Sequence, residues 1–219
     1  MMMIGLLTLH ILSFWGLIID NTLSWNGHVD WLMSRLGSAC YAIRALKSCM
    51  SQGTLRMIYF SYFHSVMTYG LVFWGNSPYS IHIFSLQKRA IRIIMNSGNR
   101  DSCRELFTEL EILPLQSQYI FSLAMFMVNN KDQFKFNSEL YNRNTRYNNK
   151  KFHYPTCKLT VFQKGVYYHG ITVFNWLPPN IRNLAQDVKH FKIVLRRFLL
   201  MNSFYSLEDY FDCKFDPNN

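Results

Sequence analysis

The stretch SPYSIHIFSLQKRAIRIIM, from Ser77 to Met95, decides how the chain is read. Ile83, Leu86, Ala90, Ile93 and Ile94 recur at the three- and four-residue spacing of a single helix face. Lys88 and Arg92 project nearly opposite that face, and Arg89 lies on its flank. Ser77-Pro78 supplies a start signal, because proline in a first turn sacrifices no hydrogen bond and serine can cap free amides. The spacing predicts a helix that buries one side and offers cations on the other, and it sets the fold class as mostly α.

Similar patterns lie on both sides. From His28 to Lys47, the residues Val29, Leu32, Met33, Leu36, Ala39, Cys40 and Ile43 form a helical stripe flanked by Arg35 and Arg44. Ser51 caps an expected second helix with the stripe Leu55, Ile58, Tyr59, Tyr62, Val66 and Tyr69, and Gly70 marks its end or a close contact. Tyr59 and Tyr62 are core by default. Upstream, Phe14 to Asp20 is short and apolar, consistent with a buried strand. Downstream, Ser102 with Glu105 reads as a capping box for a helix through Leu110, ended by Pro114, and Leu115 to Val128 is apolar nearly all round. Residues 129–155 are rich in Asn, Lys and Arg and read as a linker or surface loop. Beyond them a strand is expected over Lys158 to Phe162, a helix over Val166 to Trp176, and a last amphipathic helix over Ala185 to Met201. That helix buries Val188, Phe191, Val194, Leu195, Phe198 and Leu199, and the acidic tail after Glu208 is expected to fray.

The chain has 219 residues, 49% of them hydrophobic, enough to bury a core and too many for disorder throughout. Its net charge of +10 is concentrated: +8 falls in residues 31–100 and +10 in residues 140–197, with negative balances elsewhere. Such blocks suit polyanions, because neutralising phosphates releases condensed counterions; nucleic acid is the first partner to consider and an anionic membrane the second. The five cysteines form no Cys-x-x-Cys pair, and His153 with Cys157 is only half a tetrahedral site, so no metal site is expected and a reduced cytoplasmic or nuclear setting is. Met1 to Ile19 carries no charge, which opens an alternative as a membrane-anchored basic protein; Thr8, His10 and Ser13 interrupt the run.

Polymerase-type chemistry needs two divalent ions held by carboxylates. No Asp-Asp pair is present, and the nearest substitutes, Glu109 with Glu111 and Glu208-Asp209, read as solvated charges. Nucleophile elbows, His-Glu-x-x-His and phosphate-cradling glycine loops are also missing from the sequence, so no catalytic residue and no cofactor are assigned.

A family resemblance rests on ordered motifs: Phe14-Trp15-Gly16-Leu17 with Asp20, Leu23-Ser24-Trp25 and His28; then Tyr69-Gly70, Phe73-Trp74-Gly75-Asn76-Ser77, and Leu86-Gln87-Lys88-Arg89-Ala90-Ile91-Arg92. Ser102-Cys103-Arg104-Glu105-Leu106-Phe107, Ile112-Leu113-Pro114-Leu115, Gln163-Lys164-Gly165-Val166-Tyr167-Tyr168 and Phe174-Asn175-Trp176-Leu177-Pro178 follow. Collinear over residues 14 to about 211, this series resembles the thumb and C-terminal region of reverse transcriptases of non-LTR, jockey-like retrotransposons.

The resemblance implies a palm remnant over 1–25, a helical thumb-like domain over 26–130, a basic loop over 131–157 and a C-terminal helical region over 158–219. Trp15, Gly16 and Leu17 fall at the family's primer grip, Trp15 standing where the family has leucine. The implied function is that of a non-catalytic fragment of an RNA-directed DNA polymerase. Its partners would be RNA or a DNA–RNA duplex, bound without sequence preference, with any catalytic palm supplied by another chain. Lys88, Arg89 and Arg92 would track duplex phosphates. Arg143, Arg146, Lys150 and Lys151, alternating with Tyr141, Tyr147, Phe152 and Tyr154, would combine backbone contact with base stacking on single-stranded RNA, and Lys164 would add a further cation. A functionless pseudogene product is the remaining alternative.

Overall fold

In the computed structural model, residues 11–137 and 151–213 are described. They are mostly helical and divide into two compact units, one comprising Met1–Gly70 with Ser77–Asp101, the other Leu71–Asn76 with Ser102–Asn219. Residues 102–130, read from the sequence with the preceding helices, therefore pack with the C-terminal half. Among the described residues no helix is long and apolar enough to cross a membrane. Residues 1–10 of the uncharged N-terminal run lie outside them.

The first unit opens with a hairpin where a single strand was expected. Strand β1 (Ile11–Phe14) pairs antiparallel with β2 (Leu17–Asp20), Phe14 facing Leu17. Trp15 and Gly16 make the two-residue turn with φ of 50° and 81°, the positive pair that matches the right-handed twist of flanking strands. The expected strand spanned the turn itself, so Trp15 is 79% exposed rather than buried.

Asp20 then ties β2 to helix α1 (Asn26–Leu46). Its carboxylate accepts from the Thr22 and Ser24 backbone N–H groups and hydroxyls, and from Trp25 N–H at 2.9 Å. Burial works against the charge, but these donors hold the carboxyl well below the usual carboxylate range. A depressed carboxyl contributes stability that is fully present above the unfolded value near 3.8 and lost as pH falls through the folded one. Asp20→Asn is therefore expected to cost about 1–2 kcal/mol at pH 7, discounted because water still reaches the group, with the deficit shrinking below pH 4. Urea unfolding of both proteins between pH 7 and pH 2 checks this; a pH-independent difference would contradict it.

Helix α1 buries His28, Val29, Leu32, Leu36, Ala39, Cys40 and Ile43, close to the expected stripe. Helix α2 (Gln52–Ile58) starts as expected at Ser51, whose Oγ accepts from Thr54 N–H at 3.2 Å. It continues as a π-helix over Tyr59–His64 and ends in α3 (Ser65–Thr68). The buried residues are Leu55, Tyr59, Phe63 and Met67, each four apart, while Tyr62 is 43% and Tyr69 48% exposed. At 3.6 residues per turn a four-residue stripe rotates by about 40° per step, and the wider i→i+5 turn offsets that drift. The π-turn thus substitutes Phe63 for the expected Tyr62.

Helix α5 (Ser80–Met95) follows, with the short α4 (Leu71–Trp74) belonging to the second unit. Ser77 does not cap α5: its hydroxyl donates to the Ser24 carbonyl at 2.9 Å, and the helix begins at Ser80. Buried Gln87 donates to the hydroxyl of buried Tyr59 at 2.9 Å. Cys40 Sγ reaches the Leu86 carbonyl at 3.7 Å and Lys47 Nζ reaches Asn96 Oδ1 at 2.5 Å, so α1 and α5 run parallel. The helix through Gln52–Thr68 runs against both, with Gln52 beside Met95 at one end and Tyr69 donating to the Trp15 carbonyl at the other.

In the second unit α6 (Arg104–Glu109) precedes α7 (Leu115–Asn129), which buries Leu115, Tyr119, Ile120, Leu123, Ala124 and Met127 as expected of an all-round apolar helix. The expected capping box does not form, because the helix starts one residue late and its cap position is Cys103. A 3-10 turn over Lys131–Gln133 leads to a bridge between Phe136 and Phe152. The expected strand at Lys158–Phe162 is helical instead, as α8 (Thr160–Gln163); no neighbouring strand offers it a ladder among the described residues. Helix α9 (Val166–Trp176) has the expected bounds. After Pro178, α10 (Pro179–Arg182), a 3-10 turn over Asn183–Gln186, and α11 (Val188–Asn202) complete the core through Phe191, Leu195 and Leu199. Val188, Val194 and Phe198, expected as buried, are only half-buried. The tail does not fray at Glu208. It forms α12 (Leu207–Asp212), capped by Ser206 and anchored by fully buried Tyr210, whose hydroxyl donates to the Val173 carbonyl at 2.9 Å.

Candidate nucleic-acid interface

In the first unit Arg44, Lys47, Arg89 and Arg92 gather where α1 and α5 end side by side. Two parallel helices bring their negative dipole ends together, which favours cations in their last turns. Arg44 lies in the last turn of α1 and Arg92 in that of α5. The charges of Arg89 and Arg44 both act on the Cys40 thiol, although burial dominates there and pushes it up to about 11. Residues 31–100 contain no aspartate or glutamate at all, and Asp101, just past them, brings a carboxylate to this basic end beside Arg92.

The three cations expected on α5 are not equivalent. Arg89 is exposed. Lys88 is half-buried with its ammonium 4.6 Å from the Phe84 ring centroid. Arg92 is engaged within the protein: its Nε and Nη2 donate to the Asp101 carbonyl at 3.0 and 2.8 Å. The Asp101 carboxyl is held below its ordinary range by the Ser97 hydroxyl, the Gly98 N–H and, more weakly, Arg92. Arg92 thus fastens the loop after α5 and is the least available of the three. Arg44 and Lys47 complete the group and went unassigned in the sequence reading. The signal that could have found them was the +8 block without acids, taken together with the parallel course of α1 and α5.

The hairpin tip is set by close contact. Gly70 has φ of 61°, which strains any other residue, and a Cβ there would lie 2.6 Å from Leu17 Cδ2 and push that side chain aside where β2 meets the end of the second helix. Trp15 adopts a left-handed conformation that costs a non-glycine residue roughly 1–2 kcal/mol, and its indole projects outward. Trp15, Gly16 and Leu17 are therefore a tight, outward-pointing turn with Leu17 half-buried.

In the second unit Arg143, Arg146 and Lys150, with Tyr141 and Tyr147, lie outside the described residues. Phe152, expected as a stacking ring, is a core residue: it is 1% exposed, stacked on Phe136 at 4.5 Å and tilted against Phe174 at 4.7 Å. Lys151 is half-buried, and burial with the nearby Arg182 charge lowers its ammonium pKa. Lys164 is exposed on the surface, its carbonyl accepting from Asn76 Nδ2 at 3.1 Å.

The acidic residues considered as metal ligands are dispersed. Glu109 and Glu111 are exposed, the latter with φ of 52°, and Asp209 accepts from Tyr205 N–H at 3.1 Å and lies 3.7 Å from Arg104. Among the described residues no three His, Cys, Asp or Glu side chains group as a metal site would require. His169 is turned to packing: its Nδ1 pairs with the Tyr119 hydroxyl at 3.0 Å, and burial lowers its pKa. Comparison with protein-family models, with curated proteins and with solved structures yields no match for this chain.

Proposed function

We propose that this chain is a non-catalytic nucleic-acid-binding fragment, related to the thumb and C-terminal region of a non-LTR retrotransposon reverse transcriptase, that holds an RNA–DNA duplex by its phosphates. The observation that carries the reading is the basic end of the first unit, where parallel helices place Arg44, Lys47 and Arg89 together in a span without carboxylates. Cations arranged in this way neutralise phosphates without reaching base edges, so the affinity they supply is indifferent to sequence.

The test is the salt dependence of binding to a labelled RNA–DNA hybrid, followed by fluorescence anisotropy. Each phosphate neutralised contributes about −0.9 to the slope of log affinity against log salt. Arg44→Gln, Lys47→Gln and Arg89→Gln together are expected to flatten the slope by about 2–3 while leaving sequence preference unchanged. Failure to bind at low salt, or binding indifferent to salt, would overturn the proposal.

A further inference from the structure

The second unit presents aromatic rings where a core would hide them. Tyr154, Phe162 and Tyr167 are 39%, 42% and 37% exposed, yet each has a ring contact. Tyr167 stacks on buried Phe134 at 4.6 Å, Phe162 lies 6.4 Å from Tyr167, and Tyr154 sits 5.3 Å from Tyr168. Backbone bonds join the same pieces: His153 N–H donates to the Lys135 carbonyl at 2.8 Å, and Gln163 Nε2 donates to the Cys157 carbonyl at 3.1 Å. These contacts bring segments 134–136, 151–157 and 160–168 into one surface, with rings fixed before any ligand arrives.

The charge on that surface is of one sign. Lys135, Lys158 and Lys164 are exposed, and no acidic side chain occurs among the described residues between Gln133 and Gln186. Partly exposed rings and exposed lysines in the same segments match the two parts of an unpaired polynucleotide, whose bases are free to stack and whose phosphates carry the charge. A duplex keeps its bases stacked on each other and cannot use the rings.

We propose that Tyr154, Phe162 and Tyr167 form a base-stacking surface for single-stranded nucleic acid, with Lys135, Lys158 and Lys164 holding its phosphates. It rests on the reading that the chain handles nucleic acid, but it uses different residues and a different form of the ligand. Stacking on aromatic side chains is tolerant of base identity, so the surface binds any unpaired strand.

The experiment titrates the full chain against an oligouridylate of about 12 nucleotides, within the span of one single-strand site, and in parallel against the RNA–DNA hybrid. Tyr154→Leu and Phe162→Leu keep apolar bulk and remove the ring. Each is expected to weaken oligouridylate binding about tenfold and leave hybrid binding within about twofold, while Tyr154→Phe binds as the parent does. Lys158→Gln is expected to flatten the single-strand salt slope by about 0.7. Unchanged thermal unfolding of the leucine variants separates a lost contact from a lost fold.

Leucine variants that bind oligouridylate as tightly as the parent overturn the inference, as does their abolishing a concentration-dependent dimer with no change in binding. Hybrid binding without oligouridylate binding also overturns it, with the proposed function intact. Ring-dependent oligouridylate binding without hybrid binding sustains it and removes the duplex reading; binding of neither removes both.

Discussion

Replacing Asn175 with leucine is expected to cost the second unit about 3–5 kcal/mol, because one side chain satisfies both peptide groups of a buried residue. Phe136 and Phe152 oppose each other in an antiparallel bridge whose hydrogen bonds run from Asn137 N–H to the Lys151 carbonyl and from His153 N–H to the Lys135 carbonyl. Phe152 therefore occupies a position whose own N–H and C=O point away from its partner strand. On that side Asn175 Oδ1 accepts from Phe152 N–H and Asn175 Nδ2 donates to the Phe152 carbonyl, both at 2.8 Å. The amide stands in for a third strand.

Leucine has similar volume and can do neither. It would leave a donor and an acceptor buried beneath a residue only 1% exposed, each costing about 1–3 kcal/mol. Arg182, whose Nη1 donates to the Asn175 carbonyl at 3.1 Å, fixes the backbone, so the site has little freedom to relax. Hydrogen exchange at the Phe152 amide reads the effect directly, since its protection depends on Asn175 alone among the hydrogen bonds described for it. Loss of less than about 1 kcal/mol in urea unfolding would mean that the peptide finds other partners on opening.

That amide also marks the limit of what the linear sequence conveys. Helices with a sustained 3.6 period were legible: the stripes of α1 and α5, the all-round apolar α7, and the bounds of α9 all follow from local pattern. The capping of α2 by Ser51 was legible for the same reason, since a cap acts within one turn. What was illegible depends on partners distant in sequence. Phe152 and Asn175 lie 23 residues apart, and nothing local distinguishes an aromatic that stacks on a base from one buried beneath a peptide clamp.

The first hairpin was missed because Trp15-Gly16 is an uncommon turn pair; asparagine would have announced it. Tyr62 and Phe63 exchanged roles because a π-turn resets the phase of the stripe, and the sequence pattern carries no separate mark for it. The candidate interface was legible as charge and illegible as geometry. Counting residues 31–100 gives the excess, but only the parallel packing of α1 and α5 brings Arg44 and Lys47 beside Arg89 and shows Arg92 committed to the Asp101 carbonyl.

Gly75→Ala is expected to destabilise the second unit by about 3 kcal/mol, the upper part of the range for overpacking, because the added methyl meets atoms that cannot move away. A Cβ at Gly75 would lie 2.8 Å from the Leu71 carbonyl oxygen and 2.8 Å from Tyr119 Cγ. The carbonyl already accepts from Gly75 N–H at 2.8 Å, which closes the turn after α4. Tyr119 is fully buried, and its hydroxyl is held by His169 at 3.0 Å, so the ring cannot swing aside without giving up that bond. Gln116 Nε2 adds a contact to the Gly75 carbonyl at 3.5 Å, which holds the same segment against α7. The two obstacles can be separated. In a Tyr119→Leu background the ring is gone and the carbonyl remains, so Gly75→Ala is expected to cost about 1–2 kcal/mol less than in the parent. Urea unfolding of the four proteins gives the coupling between the sites. Strict additivity would show that the ring is not the obstacle and that the strain lies wholly in the α4 turn, whereas the predicted coupling explains why tryptophan is followed there by a residue with no side chain.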